Sequence, residues 1–119
     1  HPLAWTGPCR NQMEILENRY EEFEKLNTVA FGISIDPVPT KNAWAKELGL
    51  KKLRILSDHN PLGFAAKMMG VFIEEENMSG RANIVLDPEG NVVWAKEYDI
   101  HEVPDFDEVI EAIKEDQNR

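Results

Sequence analysis

The apolar residues of this chain change their period along its length, and that change constrains the fold more than any other feature. Met13, Leu16, Tyr20 and Phe23 recur at three-and-four spacing, with Glu14, Glu17, Glu21, Glu22 and Glu24 mostly on the other faces. This predicts an amphipathic helix over about residues 9–26. Val29, Phe31, Ile33 and Ile35 then alternate with other residues through Ser34, which predicts a strand buried on at least one side, ended by Asp36-Pro37-Val38-Pro39. Thr40 is expected to cap a short helix that stops at Gly49, residues 53–56 read as a short strand, and Asn60-Pro61 reads as the start of a helix ended by Gly70. Residues 83–86 and 92–95 flank the turn-rich Asp87-Pro88-Glu89-Gly90-Asn91 and read as a β-hairpin. Asp105, with Glu108 three residues on, reads as a capping box for a last helix through Val109, Ile110 and Ile113. Helix, strand, helix, strand, helix, hairpin, helix is the alternation of an α/β domain.

Size and charge narrow the function. At 119 residues with 42% hydrophobic content, the expectation is one domain over residues 1–119 with a single core. A formal net charge of −9 argues against nucleic acid and against anionic membrane surfaces, both of which need a basic face. No stretch reaches bilayer-spanning length and none has the form of a signal peptide. A single cysteine with no disulfide framework makes a cytoplasmic setting the expectation.

That cysteine, Cys9, falls just where the first helix should begin. A helix N-terminus presents unpaired N–H groups and the positive end of the dipole, which favour a thiolate and so a nucleophile. A lone cysteine is otherwise most often a small buried hydrophobe.

The segment from Pro2 to Cys9 has the form P-x-x-x-T-x-x-C, and it resembles the active-site signature of the peroxiredoxins. A second block, Ser79-Gly80-Arg81-Ala82-Asn83-Ile84-Val85-Leu86, resembles the family's arginine-bearing approach to a late strand. Gly32-Ile33-Ser34-Ile35-Asp36, Leu56-Ser57-Asp58 and Gly70-Val71-Phe72 look like its other local patterns, in order. Trp5-Thr6-Gly7, Pro37-Val38-Pro39-Thr40 and Trp44-Ala45 are similar to the one-cysteine alkyl hydroperoxide reductase E branch. The resemblance implies a thioredoxin-like fold of the peroxiredoxin type and a thiol peroxidase whose catalytic residues are Cys9, Thr6, Arg81 and Pro2. Cys9 would attack a peroxide oxygen, and the Thr6 hydroxyl would donate to the thiolate or the peroxide. Arg81 would supply a permanent charge and several donors, and Pro2 would shield the pocket without offering an N–H. The same resemblance places a strand directly before the P-x-x-x-T-x-x-C loop, in mid-sheet. The sequence opens without one, so the expectation is that N-terminal strands, including that one, belong upstream of His1.

Trp5-Thr6-Gly7-Pro8-Cys9 also looks like the W-C-G-P-C motif of thioredoxin, with threonine in place of the first cysteine, a change that removes dithiol–disulfide cycling. Thioredoxins also carry a proline where Arg81 stands. Gln12 occupies a position where many peroxiredoxins have glutamate. With no second cysteine in these residues, an oxidised Cys9 would await an external thiol: thioredoxin-like, glutaredoxin-like or of low molecular weight. The resemblance further implies a homodimer or larger homo-oligomer. Two other functions stay open, a thioredoxin-fold binding or chaperone-like module with an idle thiol, and a monothiol exchange protein.

Other residues receive plainer readings. Glu74-Glu75-Glu76 reads as a solvated acidic loop and Asp58-His59 lacks a third ligand, so no metal and no cofactor is expected. His1 reads as a surface residue. Trp44, Trp94, Met68 and Met69 read as core or subunit interface, whereas Trp5 lies inside the active-site loop.

Overall fold

The structure is a computed structural model describing residues 1–118. Its elements are α1 (Gly7–Asn18), α2 (Tyr20–Lys25), β1 (Phe31–Ser34), α3 (Val38–Leu48), β2 (Arg54–Ser57), α4 (Phe64–Met68), β3 (Phe72–Ile73), a 3₁₀ turn (Glu74–Glu76), β4 (Met78–Ser79), β5 (Arg81–Leu86), β6 (Val92–Tyr98) and α5 (Phe106–Gln117). The α/β alternation legible in the apolar periods is present, with differences at the joints.

The long first helix is two. At Arg19 the helical run is interrupted, and the Arg19 guanidinium bridges Glu22 in α2 and Asp107 in α5. The next helix starts at Val38 rather than at Thr40. Pro37 is its N-cap, and Pro39 falls in the first turn, where a missing N–H costs nothing. Gly49 ends it in the left-handed conformation (φ 69°), as expected. Asn60-Pro61 does not open α4. Residues 58–63 form a turn, and the Asp58 carboxylate accepts from the backbone N–H groups of Ala65 (2.9 Å) and Ala66 (3.0 Å), so the capping residue acts from seven and eight positions away. Asp105 caps α5 by accepting from Asp107 N–H (2.9 Å). Glu108 instead bonds Lys96 and Tyr98 of β6, so the capping box is half formed.

The strands form three separate pairs: parallel β1–β2, antiparallel β3–β4 and antiparallel β5–β6. The β3–β4 pair has no sequence signal, because two-residue strands carry no period. Between the β1–β2 and β5–β6 pairs lies a cavity of about 270 Å³, lined along one side by Phe31, Gly32 and Ile33 and along the other by residues 82–86. Among the described residues no strand joins the two pairs.

One core connects the layers. Cys9, Met13 and Leu16 of α1, Phe23 of α2, Trp44 of α3, and Phe106, Val109, Ile110 and Ile113 of α5 are buried together. Gly32 lets α1 lie on β1, since a Cβ there would meet the Met13 sulfur at 2.4 Å. Among the described residues, no helix is long and apolar enough to cross a membrane.

Candidate active site

Thr6 is the N-cap of α1. Its backbone is extended (φ −92°, ψ 150°), and its carbonyl accepts from Arg10 N–H at 2.9 Å. Gly7 and Pro8 follow as the first two helical residues, and proline suits this turn because its nitrogen needs no acceptor. Cys9 comes third, so its own N–H is among those the helix leaves unpaired. The sulfur lies in the core, and Cys9 has no exposed surface.

Arg81 begins β5 and is itself buried. Its Nη2 lies 3.2 Å from Cys9 Sγ and 2.8 Å from the Ile100 carbonyl; Nε donates to the same carbonyl at 3.0 Å, and Nη1 donates to Gln12 Oε1 at 2.6 Å. Among the described residues no carboxylate forms an ion pair with Arg81. Two neutral oxygens hold the guanidinium in place without cancelling its charge, which leaves that charge directed at the sulfur.

Of the four residues singled out in the sequence, Cys9 and Arg81 are in contact and Pro2 is buried in the same loop. Thr6 is exposed, and its hydroxyl donates to the Leu3 carbonyl (2.9 Å), bracing the loop rather than bonding to the sulfur. Trp5, also in the loop, is 55% exposed and has a positive φ of 68°, unusual for a bulky residue.

His1 departs from its surface reading. It is buried, its ring centroid lies 5.3 Å from that of Trp44, and its Nε2 is 2.6 Å from Lys41 Nζ. A residue at the end of a sequence has no periodic neighbours to announce its burial. Trp44 is in the core; Met68 and Met69 are exposed on this chain and so are not in its core. Sequence reasoning noted Gln12 only as a departure from a pattern. Its contact with Arg81, and its weaker bond from Nε2 to Asn83 Oδ1 (3.4 Å), place it in the site. The Ile100 carbonyl is a backbone group with no signature in residue type. Lys41, on the buried side of α3, has no local sequence signal for its burial. Burial pushes its ammonium down to about 8, against the opposing pull of Asp36 and Cys9. Among the described residues no cluster of three or more His, Cys, Asp and Glu could hold a metal ion.

A buried thiol in the first turn of a helix, faced by an arginine whose charge has no carboxylate partner among the described residues, makes this a candidate cysteine-centred site on an α/β fold. The profile of the AhpC/TSA family matches residues 1–95, and the chain belongs to that family. Over 95 residues it is 35% identical to alkyl hydroperoxide reductase E of Mycobacterium tuberculosis, covering 80% of this chain and 61% of that protein. It is 28% identical over 118 residues to the putative peroxiredoxin YkuU of Bacillus subtilis, covering 96% and 66% respectively. The crystal structure of Enterococcus faecalis AhpC superposes with a TM-score of 0.91 at 24% identity, covering 99% of this chain and 71% of that one. The likeness shows that the fold is of the peroxiredoxin type. The chain thus spans about three-fifths of the length of its mycobacterial relative.

Proposed function

We propose that this chain carries the catalytic site of a thiol-dependent peroxidase acting on hydrogen peroxide and organic hydroperoxides by a one-cysteine mechanism, in antioxidant defence. The Cys9 thiolate attacks one peroxide oxygen, the S–O bond forms as the O–O bond breaks, and the departing oxygen leaves as water or an alcohol after taking a proton. Cysteine is thereby oxidised to the sulfenic acid and the peroxide reduced. An external thiol then condenses with the sulfenic acid, releasing water and leaving a mixed disulfide, and a second thiol frees Cys9.

The observation that carries this reading is Arg81 Nη2 at 3.2 Å from Cys9 Sγ with only neutral oxygens as its other partners. A fixed, uncompensated donor beside the sulfur is what a reaction that builds negative charge on oxygen requires. A binding module with an idle thiol would also bury its cysteine, but it has no use for that charge. A monothiol exchange protein would react with disulfides and show no preference for peroxides. The site residues under this reading are Cys9, Arg81, Thr6 and Pro2, with a cytoplasmic setting and self-association as further parts of the proposal. The test is the rate at which hydrogen peroxide and an organic hydroperoxide consume the Cys9 thiol in the complete gene product. A rate no greater than that of a free model thiol would reject peroxidase function.

A further inference from the structure

Behind the Cys9 loop runs a buried polar chain that the proposed reaction does not use. Lys41 Nζ lies 2.6 Å from His1 Nε2 and donates to Ser34 Oγ at 2.8 Å; Ser34 Oγ in turn donates to Asp36 Oδ2 at 2.5 Å. The same Asp36 oxygen accepts from Ala4 N–H at 2.8 Å, inside the loop that leads to Cys9. His1, Ser34 and Lys41 are all buried, and Lys41 is only 1% exposed. The chain therefore ties the active-site loop, β1, the β1–α3 connection and α3 together.

Lysine is seldom buried without a carboxylate in direct contact, because an ammonium removed from water must be compensated. Here the carboxylate is one hydroxyl away. Only one proton fits between Lys41 and His1. When Lys41 is an ammonium it donates to Nε2, which fixes the ring proton on Nδ1; when Lys41 is neutral it accepts from Nε2–H. An ammonium facing a doubly protonated imidazole would set two donors and two positive charges against each other. Among the described residues, the other titratable groups that act on Lys41 are Asp36 and Cys9, with Arg81 beyond Cys9.

We propose that Lys41 and His1 form a buried proton-holding pair, that Lys41 is a positioning residue for the Pro2–Cys9 loop, and that the pair's charge makes Cys9 reactivity fall on the alkaline side. With Lys41 protonated, its donor bond to Ser34 holds that hydroxyl on Asp36 and so holds Ala4, and the second buried cation supports the Cys9 thiolate alongside Arg81. Loss of that proton turns the charge-assisted bond to Ser34 into a weaker neutral one and removes the charge together. As far as it concerns peroxide turnover, this rests on the peroxidase reading; as far as it concerns the reactivity of Cys9, it does not.

The test compares Lys41→Met and Lys41→Arg with the parent in the complete gene product. The rate of Cys9 reaction with iodoacetamide and with hydrogen peroxide is followed from about pH 6 to about pH 10, a range that brackets lysine ionisation after burial. The parent should show a second ionisation step on the alkaline side. Lys41→Met should react more slowly near neutrality, having lost one buried cation, and should lack the alkaline step. Lys41→Arg, whose charge does not titrate there, should recover much of the neutral rate and also lack the step. Profiles of Lys41→Met that superpose on the parent's with both reagents would overturn the proposal. So would a single ionisation step in the parent, which decides the matter even if neither variant folds. A parent slow toward peroxide but with Lys41-dependent alkylation would reject the peroxidase and leave the pair standing. The reverse result would reject the pair alone.

Discussion

Arg81 and Cys9 touch across 72 positions of sequence, Nη2 to Sγ at 3.2 Å, because β5 begins beside the first turn of α1. This contact joins a residue prized for fixed, permanent charge to a residue that reacts only as an anion. Its removal should be the most damaging single change to the site.

Arg81→Ala should slow peroxide reaction by about 10²–10³-fold, the usual cost of losing one donor to developing oxyanion charge. Arg81→Lys should fall between, since a single ammonium cannot span Gln12, Ile100 and Cys9 together. Stopped-flow consumption of the thiol, with circular dichroism to establish that the fold persists, checks both. Equal rates in all three proteins would remove arginine from the chemistry.

Gln12→Leu keeps the volume of the side chain but deprives Arg81 Nη1 of its 2.6 Å acceptor. An unpaired buried donor costs about 1–3 kcal/mol, so both thermal stability and peroxide rate should drop, the rate by less than in Arg81→Ala. Calorimetry and the thiol assay on the same preparation distinguish the two effects.

Thr6→Val should slow the reaction and Thr6→Ser should retain most of it, because the hydroxyl that donates to Leu3 O braces the loop that presents Cys9. Rates for Thr6→Val matching the parent's would show that the brace is dispensable.

Asp58→Ala should destabilise by about 1 kcal/mol, as loss of a helix cap does, while sparing Cys9 reactivity, since its carboxylate bonds Ala65 and Ala66 and neither Cys9 nor Arg81. Chemical denaturation combined with the thiol assay checks it.

The pH dependence of stability should bear the mark of Lys41. Its folded value, about 8, lies below the ordinary 10.5. Between those values the unfolded chain binds a proton that the folded chain does not, so this group makes stability rise with pH across that window and penalises folding below it. Denaturation midpoints measured on both sides of the window should show the rise in the parent and not in Lys41→Met.

What the sequence disclosed, and what it withheld, follow from how far each signal reaches. The helical and strand periods of residues 13–23 and 31–34 are local, and they appear as helices and a strand. Cys9 and Arg81 could be paired only through the resemblance, since nothing local relates residues so distant. Asp58 capping α4, the interruption at Arg19 and the burial of His1 and Lys41 depend on partners from other elements. Each is a tertiary decision written over a local preference. The Thr6 hydroxyl shows the opposite limit, because its residue type was noticed and its direction was not.

The closed surface over Cys9 turns the protein into a timekeeper for its own chemistry. With no exposed surface on Cys9, a reagent reaches the sulfur only when the residues covering it move apart. Its measured rate then carries the opening of the protein as well as the reactivity of the sulfur. A small peroxide and a bulky thiol would thus read two different clocks in one molecule. Under the proposed reaction, an oxidised sulfur would keep its oxygen for as long as the slower clock dictates.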